Sequence, residues 1–322
     1  MKILVTGCAG FIGFHLSKKL IENNYQTYGI DNLNNYYDVK LKKDRLKILK
    51  KNKKFFFYKI NIFNKKNVLN NFKKNKYDIV INLAAQAGVR HSIRNPKDYL
   101  DSNIIGFFNI LEASRSIKTK HLLFASSSSV YGPTKQFPLK ENYNTDFPLS
   151  FYAASKKANE ILAFSYNQIY KMKITGLRFF TVYGPYGRPD MALFRFTKNI
   201  INSKKIEVYN NGNHSRDFTY IDDVVNYVYS LAVKKYKDKK NFNIFNIGSS
   251  KPYKLLKFIE IIEKKLNKRA IKVFKPKQTG DVEKTFSDSS NIKKIIKLNK
   301  ITPIERGIEN FINWYKDYYS IK

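Results

Sequence analysis

Cysteine is almost missing from this sequence. Cys8 stands alone, which excludes a disulfide framework and a cysteine-rich metal site and suits a reducing compartment. Long hydrophobic runs are missing too. No stretch of about 18 apolar residues occurs, so no membrane span and no membrane partner are expected. The N-terminal MKILVTGCAGFIG is broken by Thr6, Gly7 and Gly10 and reads as a first strand, not a leader. His15, His91, His121 and His214 lack metal-ligand spacing, and no metal is expected. Acid is scarce: 25 acidic residues face 60 basic ones, for a net charge of +35. Such a surplus suits a nucleic-acid surface. Here, however, Lys outnumbers Arg about five to one and is spread over the whole chain, alongside abundant Asn, Ile, Tyr and Phe. That pattern reads as compositional drift, and no nucleic-acid partner is expected. The densest runs, at 50–54 and 234–240, read as solvated helix ends or loops.

What is present is a core. The 322 residues are 43% hydrophobic, enough for one large α/β domain or two modest ones. Apolar strands are predicted at 2–7, 27–31, 55–61, 78–85, 121–129 and 174–180. Helices lie between them, notably Tyr99–Ser116 and Tyr152–Tyr170. Near-continuous apolar strands alternating with helices indicate a doubly wound α/β fold with a parallel sheet. From Thr181 a Gly/Pro-rich loop, VYGPYGRPDM, opens a smaller α/β lobe. The expected division is 1–180 and 181–322, with 241–248 a candidate strand returning to the main sheet.

The first strand runs into Gly7-Cys8-Ala9-Gly10-Phe11-Ile12-Gly13, a GxxGxxG loop that opens a helix. Gly7 suits the tight turn, Gly10 the approach of a pyrophosphate, and Gly13 close packing of helix on strand. The helix N-terminus adds amides and partial positive charge. Asp31 closes the second strand 18 residues after Gly13. An acid there accepts ribose hydroxyls and repels a 2′-phosphate, which points to NAD over NADP.

Tyr152 and Lys156 are i and i+4, so they share a helix face. Ser126–Ser129 end a strand at the carboxyl edge, where ligands of such sheets bind. Together they suit hydride removal from a secondary alcohol, which needs a base at the hydroxyl. A phenol, with a pKa near 10, becomes that base when an ammonium and a positive nicotinamide favour the phenolate. A serine can orient the substrate oxygen and relay its proton.

The blocks VTGCAGFIG (5–13), GIDNLNNYYD (29–38), NLAAQAGVR (82–90), SSSSVYG (126–132), YAASK (152–156), RFFTVYGPYGRPDM (178–191), RDFTYIDD (216–223) and TGDV (279–282) follow in order over nearly the whole chain. In these the chain resembles the extended short-chain dehydrogenase/reductases, and among them the nucleotide-sugar epimerases. NNYYD and GPYGRPDMA most resemble the UDP-glucuronate 4-epimerases. The resemblance implies that Tyr152 acts as base and then acid, with Lys156 and Ser127 as its catalytic partners. It implies NAD contacts at Gly7, Gly10, Phe11, Ile12, Gly13, Asp31, Asn32, Asn61, Ile62, Ala84, Ala85, Gln86, Asn103, Tyr152, Lys156 and Phe180, with Asn103 also fixing the active-site helices. Ser128, Ser129, Thr181, Arg188, Arg216, Gln278 and Asp281 would bind substrate, a UDP-sugar. Gln278 departs from galactose-type relatives, which carry an arginine there.

The implied reaction interconverts UDP-glucuronate and UDP-galacturonate through a 4-keto sugar that rotates before hydride returns. Related dehydratases carry Asp-Glu before VYG, and related decarboxylases a Glu; here Ser128 and Ser129 stand instead, which favours epimerisation. A 4-keto uronate is a β-keto acid that loses CO2 if its carboxylate lies perpendicular to the carbonyl plane. Ser128, Ser129, Thr181 and Arg188 are expected to hold it near that plane, although Arg188 also suits a loop salt bridge. Alternatives are 4-epimerisation of UDP-glucose or N-acetylated UDP-hexoses, C5 epimerisation of UDP-glucuronate, and a non-catalytic protein that senses NAD or binds nucleic acid. The resemblance also implies a homodimer through the helices at 99–116 and 152–170, and a cytoplasmic enzyme supplying polysaccharide synthesis.

Overall fold

The computed structural model describes residues 1–234, 240–296 and 301–321. Most of the basic run at 234–240 therefore lies outside the described residues.

The chain alternates strand and helix from its start: β1 (Lys2–Thr6), α1 (Phe11–Glu22), β2 (Gln26–Asp31), α2 (Val39–Lys50), β3 (Phe55–Lys59), α3 (Lys65–Asn75) and β4 (Ile79–Asn82). Short helices α4 (Val89–Arg94) and α5 (Pro96–Tyr99) lead through a π-helical turn, Leu100–Ile105, into α6 (Gly106–Ser116). Then come β5 (His121–Ser127), a 3₁₀ turn at Ser128–Tyr131, α7 (Phe151–Tyr170) and β6 (Ile174–Phe179). The remainder comprises β7 (Thr181–Tyr183), α8 (Ala192–Ile201), β8 (Ile206–Tyr209), β9 (Ser215–Tyr220), α9 (Ile221–Val233), β10 (Phe242–Ile247), β11 (Pro252–Lys254), α10 (Leu255–Leu266), β12 (Lys272–Lys275), α11 (Ser290–Ile295) and α12 (Ile304–Tyr318).

Among the described residues, seven strands form one sheet in the order β3-β2-β1-β4-β5-β6-β10. Every pairing in it is parallel. Ile3, Leu4 and Val5 are wholly buried because helices cover both faces, and burying each such side chain contributes about 1.5–3 kcal/mol. The order reverses between β1 and β4. There the crevice opens, with Thr6 Oγ1 donating to Asn82 Oδ1 at 2.6 Å and accepting from Ala84 N at 3.1 Å. The candidate strand at 241–248 is β10, which extends the sheet beside β6.

The smaller lobe is mixed. β7, β9 and β11 form one sheet, parallel between β7 and β9 and antiparallel between β9 and β11. β8 and β12 pair in parallel. Two local details differ from the sequence reading. Thr181–Tyr183 is strand, with the glycine- and proline-rich loop starting after it. The helix expected over 99–116 is interrupted by the π-helical turn, which holds Asn103 buried inside the fold.

Candidate active site

A cavity of about 710 Å³ runs along the carboxyl edge of the main sheet and on between the two lobes. Its first end is the glycine loop. Gly7 has φ +71°, a left-handed conformation that costs glycine little. A Cβ on Gly13 would collide with the carbonyl oxygen of Gly7, so α1 packs hard against the turn. A Cβ on Gly10 would lie 2.9 Å from the same oxygen. The loop thus presents bare backbone at the start of α1, a cradle fit for a pyrophosphate.

Asp31 stands at the end of β2, accepting from Ala9 N at 3.0 Å and Leu33 N at 2.8 Å. Burial raises its carboxyl above the usual range, and the Leu33 amide and Lys42 pull it back. These two amides leave lone pairs on the carboxylate for ribose hydroxyls. Gly7, Gly10, Phe11, Ile12, Gly13, Asp31, Asn32, Asn61, Ile62, Ala84, Ala85 and Gln86 all line this part of the cavity. The residues fit NAD: a glycine cradle for phosphates and an acid for the ribose.

Further along, the cavity gathers Ser127, Ser128, Ser129, Tyr152, Lys156, Phe180, Thr181 and Arg188. α7 begins at the Ser150 cap, whose hydroxyl accepts from Ala153 N, so Tyr152 and Lys156 fall in its first turns. Ser127 Oγ accepts from Ser129 N at 3.1 Å, which fixes the turn after β5. Ser126 points elsewhere, donating at 2.6 Å to Glu160 Oε1. Glu160 is locked to Arg178 in a fully buried fork, with both bonds at 2.8 Å. This pair ties α7 to β5 and β6.

Burial raises the Tyr152 phenol above its ordinary value, and a hydrogen bond with Ser127 and the charge of Arg188 draw it back. Burial lowers the Lys156 ammonium to about 7. Lys156 Nζ donates to Ala125 O at 2.9 Å. The acidifying influences on the phenol here are thus Ser127 and Arg188, where sequence reasoning expected Lys156.

Two of the expected contact residues do not line the cavity. Asn103 lies behind it, donating to Gln86 O at 3.0 Å and Ser155 Oγ at 2.9 Å and accepting from Gln86 N at 2.7 Å. It holds α7 against the loop after β4. Gln278 lies outside the lining. At the far end, Arg216 Nη1 donates to Glu283 O at 2.9 Å and to Ser215 O at 3.1 Å. Asp281 pairs with Arg90 at 3.2 Å.

Sequence reasoning missed three features. Lys42 is buried beside Asp31 and donates to Asn34 O at 2.7 Å. Arg45 is wholly buried, bonding Ala9 O and the Tyr37 hydroxyl at 2.8 Å and Tyr186 O at 2.6 Å. Arg90 braces Asp281. The NNYYD and GRPDM blocks carried part of this signal, but no spacing shows that they meet. Cys8 is buried, and its thiol is pushed well up by that burial. Cys8 thus packs as a small core side chain.

A model of the NAD dependent epimerase/dehydratase family matches residues 3–248. Protein CapI of Staphylococcus aureus is 47% identical over 333 residues, covering 99% of both chains. A probable UDP-glucuronate 4-epimerase of Rhizobium meliloti is 40% identical over 334 residues, covering 99% of this chain and 98% of that protein. The crystal structure of UDP-glucuronic acid 4-epimerase from Bacillus cereus with UDP-glucuronic acid and NAD is similar at a TM-score of 0.93 and 33% identity, covering 99% of this chain and 100% of that one.

Proposed function

The chain belongs to the NAD dependent epimerase/dehydratase family, and from that premise we propose that it interconverts UDP-glucuronate and UDP-galacturonate. Tyr152 takes the proton from the C4 hydroxyl, with Ser127 orienting that oxygen, and returns it at the end of the cycle. NAD, which the glycine loop and Asp31 would hold, would supply the acceptor for the C4 hydride and the donor for its return to the opposite face. Lys156, on the same face of α7 as Tyr152, would bind the ribose of that cofactor. Arg216 holds the diphosphate, and Asp281 the uridine ribose. Ser128, Ser129, Thr181 and Arg188 receive the uronate carboxylate.

One observation carries the reading: each acid lining the cavity is already held by a partner. Asp190 is bound by Arg188, Asp281 by Arg90 and Asp31 by two backbone amides. Glu207 accepts from the Tyr209 hydroxyl at 2.6 Å. Near Tyr152 that leaves hydroxyls and a guanidinium, but no spare carboxyl to run an elimination. Such a site suits oxidation and reduction at C4 of an acidic sugar.

The test is NMR of purified protein with UDP-glucuronate and no added NAD. UDP-galacturonate should accumulate. A C5 epimer, a pentose with CO2 as the main product, or turnover confined to neutral UDP-hexoses would refute the assignment.

The same proposal includes a cytoplasmic setting and a homodimer. No helix among the described residues is long and apolar enough to cross a membrane. Phe108 on α6 and Ile161 on α7 are exposed large apolar side chains on the helices expected to pair.

A further inference from the structure

Arg188 and Asp190 lie in the loop between β7 and α8. Arg188 Nε is 3.0 Å from Asp190 Oδ1, and Nη2 is 2.6 Å from Oδ2. That is a two-bond fork, the most directional grip on a guanidinium. Asp190 Oδ2 also accepts the Tyr36 hydroxyl at 3.2 Å, from a residue 154 positions earlier. Tyr36 is held in turn, its ring 4.8 Å from that of His91 and its centroid 5.9 Å from the Arg188 guanidinium carbon. Gly88 leaves it room, since a Cβ there would come within 2.5 Å of the hydroxyl. The loop after β2 and the loop after β7 are thus clasped together beside Ser128, Ser129, Thr181 and Tyr152, with which they line one cavity.

The clasp uses Nε and Nη2 of Arg188 and leaves Nη1 outside the fork. A guanidinium held this way offers an incoming carboxylate one edge, at one angle. We propose that Asp190, braced by Tyr36, is a specificity-determining positioning residue that reserves Arg188 Nη1 for the substrate carboxylate and sets that carboxylate's angle to the C4 carbonyl. This rests on the reading of Arg188 as the uronate's partner. The angle matters at the 4-keto stage. If the C5–C6 bond aligns with the carbonyl π system, it breaks and its electron pair passes to the C4 oxygen. C5 then takes a proton from water, leaving a UDP-4-keto-pentose and CO2. Without the Asp190 charge, Arg188 is free to turn its fork onto the substrate, gripping it more tightly and in another plane.

The experiment measures KM, kcat and CO2 release for UDP-glucuronate in Asp190→Asn, which keeps the shape and removes the charge. The expected result is a several-fold lower KM, a kcat lower by about tenfold, as for loss of a charge-assisted bond, and release of CO2 with UDP-4-keto-pentose. Tyr36→Phe should shift the products the same way, less strongly. Wild-type KM, kcat and products in Asp190→Asn, while Arg188→Ala is impaired, would overturn the proposal. So would a loss of turnover without CO2, the mark of a merely structural role. Unimpaired turnover in Arg188→Ala would bring down the uronate reading itself, and the proposal with it. If Asp190→Asn fails to fold by circular dichroism, Asp190→Glu, which displaces the carboxylate by one methylene, is read by the same product ratio. CO2 release supports the proposal, and the wild-type ratio overturns it.

Discussion

Tyr152 and Lys156 stand one helical turn apart on α7, and burial acts on them in opposite senses. It raises the Tyr152 phenol and lowers the Lys156 ammonium to about 7. A positive charge beside the phenol, such as a nicotinamide would supply, favours its ionisation. Other buried titratable groups affect stability instead. His121, on β5, is lowered from 6.5 to about 3 by burial, and its Nε2 lies 2.8 Å from Thr175 Oγ1. It is neutral in the fold and takes up a proton on unfolding at any pH between those two values. Stability should therefore fall as pH drops through that window, by up to roughly 1.4 kcal/mol per unit from this group. Thermal melts between pH 7 and about pH 4 should show a shallower acid loss in His121→Asn than in wild type. Parallel curves would mean that His121 is not the titrating group.

At the scale of elements, the turn from β1 into α1 sets the geometry of the cofactor end. Gly13→Ala places a methyl against the Gly7 carbonyl, so α1 must move off the sheet. Overpacking of this kind costs about 1–3 kcal/mol, and purified Gly13→Ala should carry less NAD and melt lower. Unchanged NAD content would contradict the role of this contact. The glycine loop was legible in the sequence because its pattern is local and its flanks are a buried strand and an amphipathic helix. The same holds for Tyr152 and Lys156, set by one helix and its serine cap, and for β10, whose apolar run matches its neighbour β6. The π-helical turn was not legible, because Leu100–Ile105 has ordinary helical composition and the bulge shows only in how Asn103 meets Gln86 and Ser155. The clasp of Tyr36 on Asp190 and the pairing of Arg90 with Asp281 were hidden for another reason. Each joins segments far apart in the chain, and only the folded topology brings them together.

At the scale of the whole molecule, the cavity runs from the carboxyl edge of the main sheet to the smaller lobe, which adds Arg195 and Arg216 to its lining. The net charge of +35 also favours the approach of an anionic nucleotide. Ile161 is 58% exposed on α7, the helix that carries Tyr152. If α6 and α7 pack against their copies, Ile161→Glu should convert a dimer into a monomer by light scattering; a wild-type species of either mass unaffected by the substitution would place the interface elsewhere. The account as a whole depends on Tyr152, and Tyr152→Phe tests it most directly. In protein shown to be folded and to carry NAD, conversion of UDP-glucuronate should fall by about a thousandfold or more, within the range for loss of a general acid–base group. Turnover at the wild-type rate would contradict it.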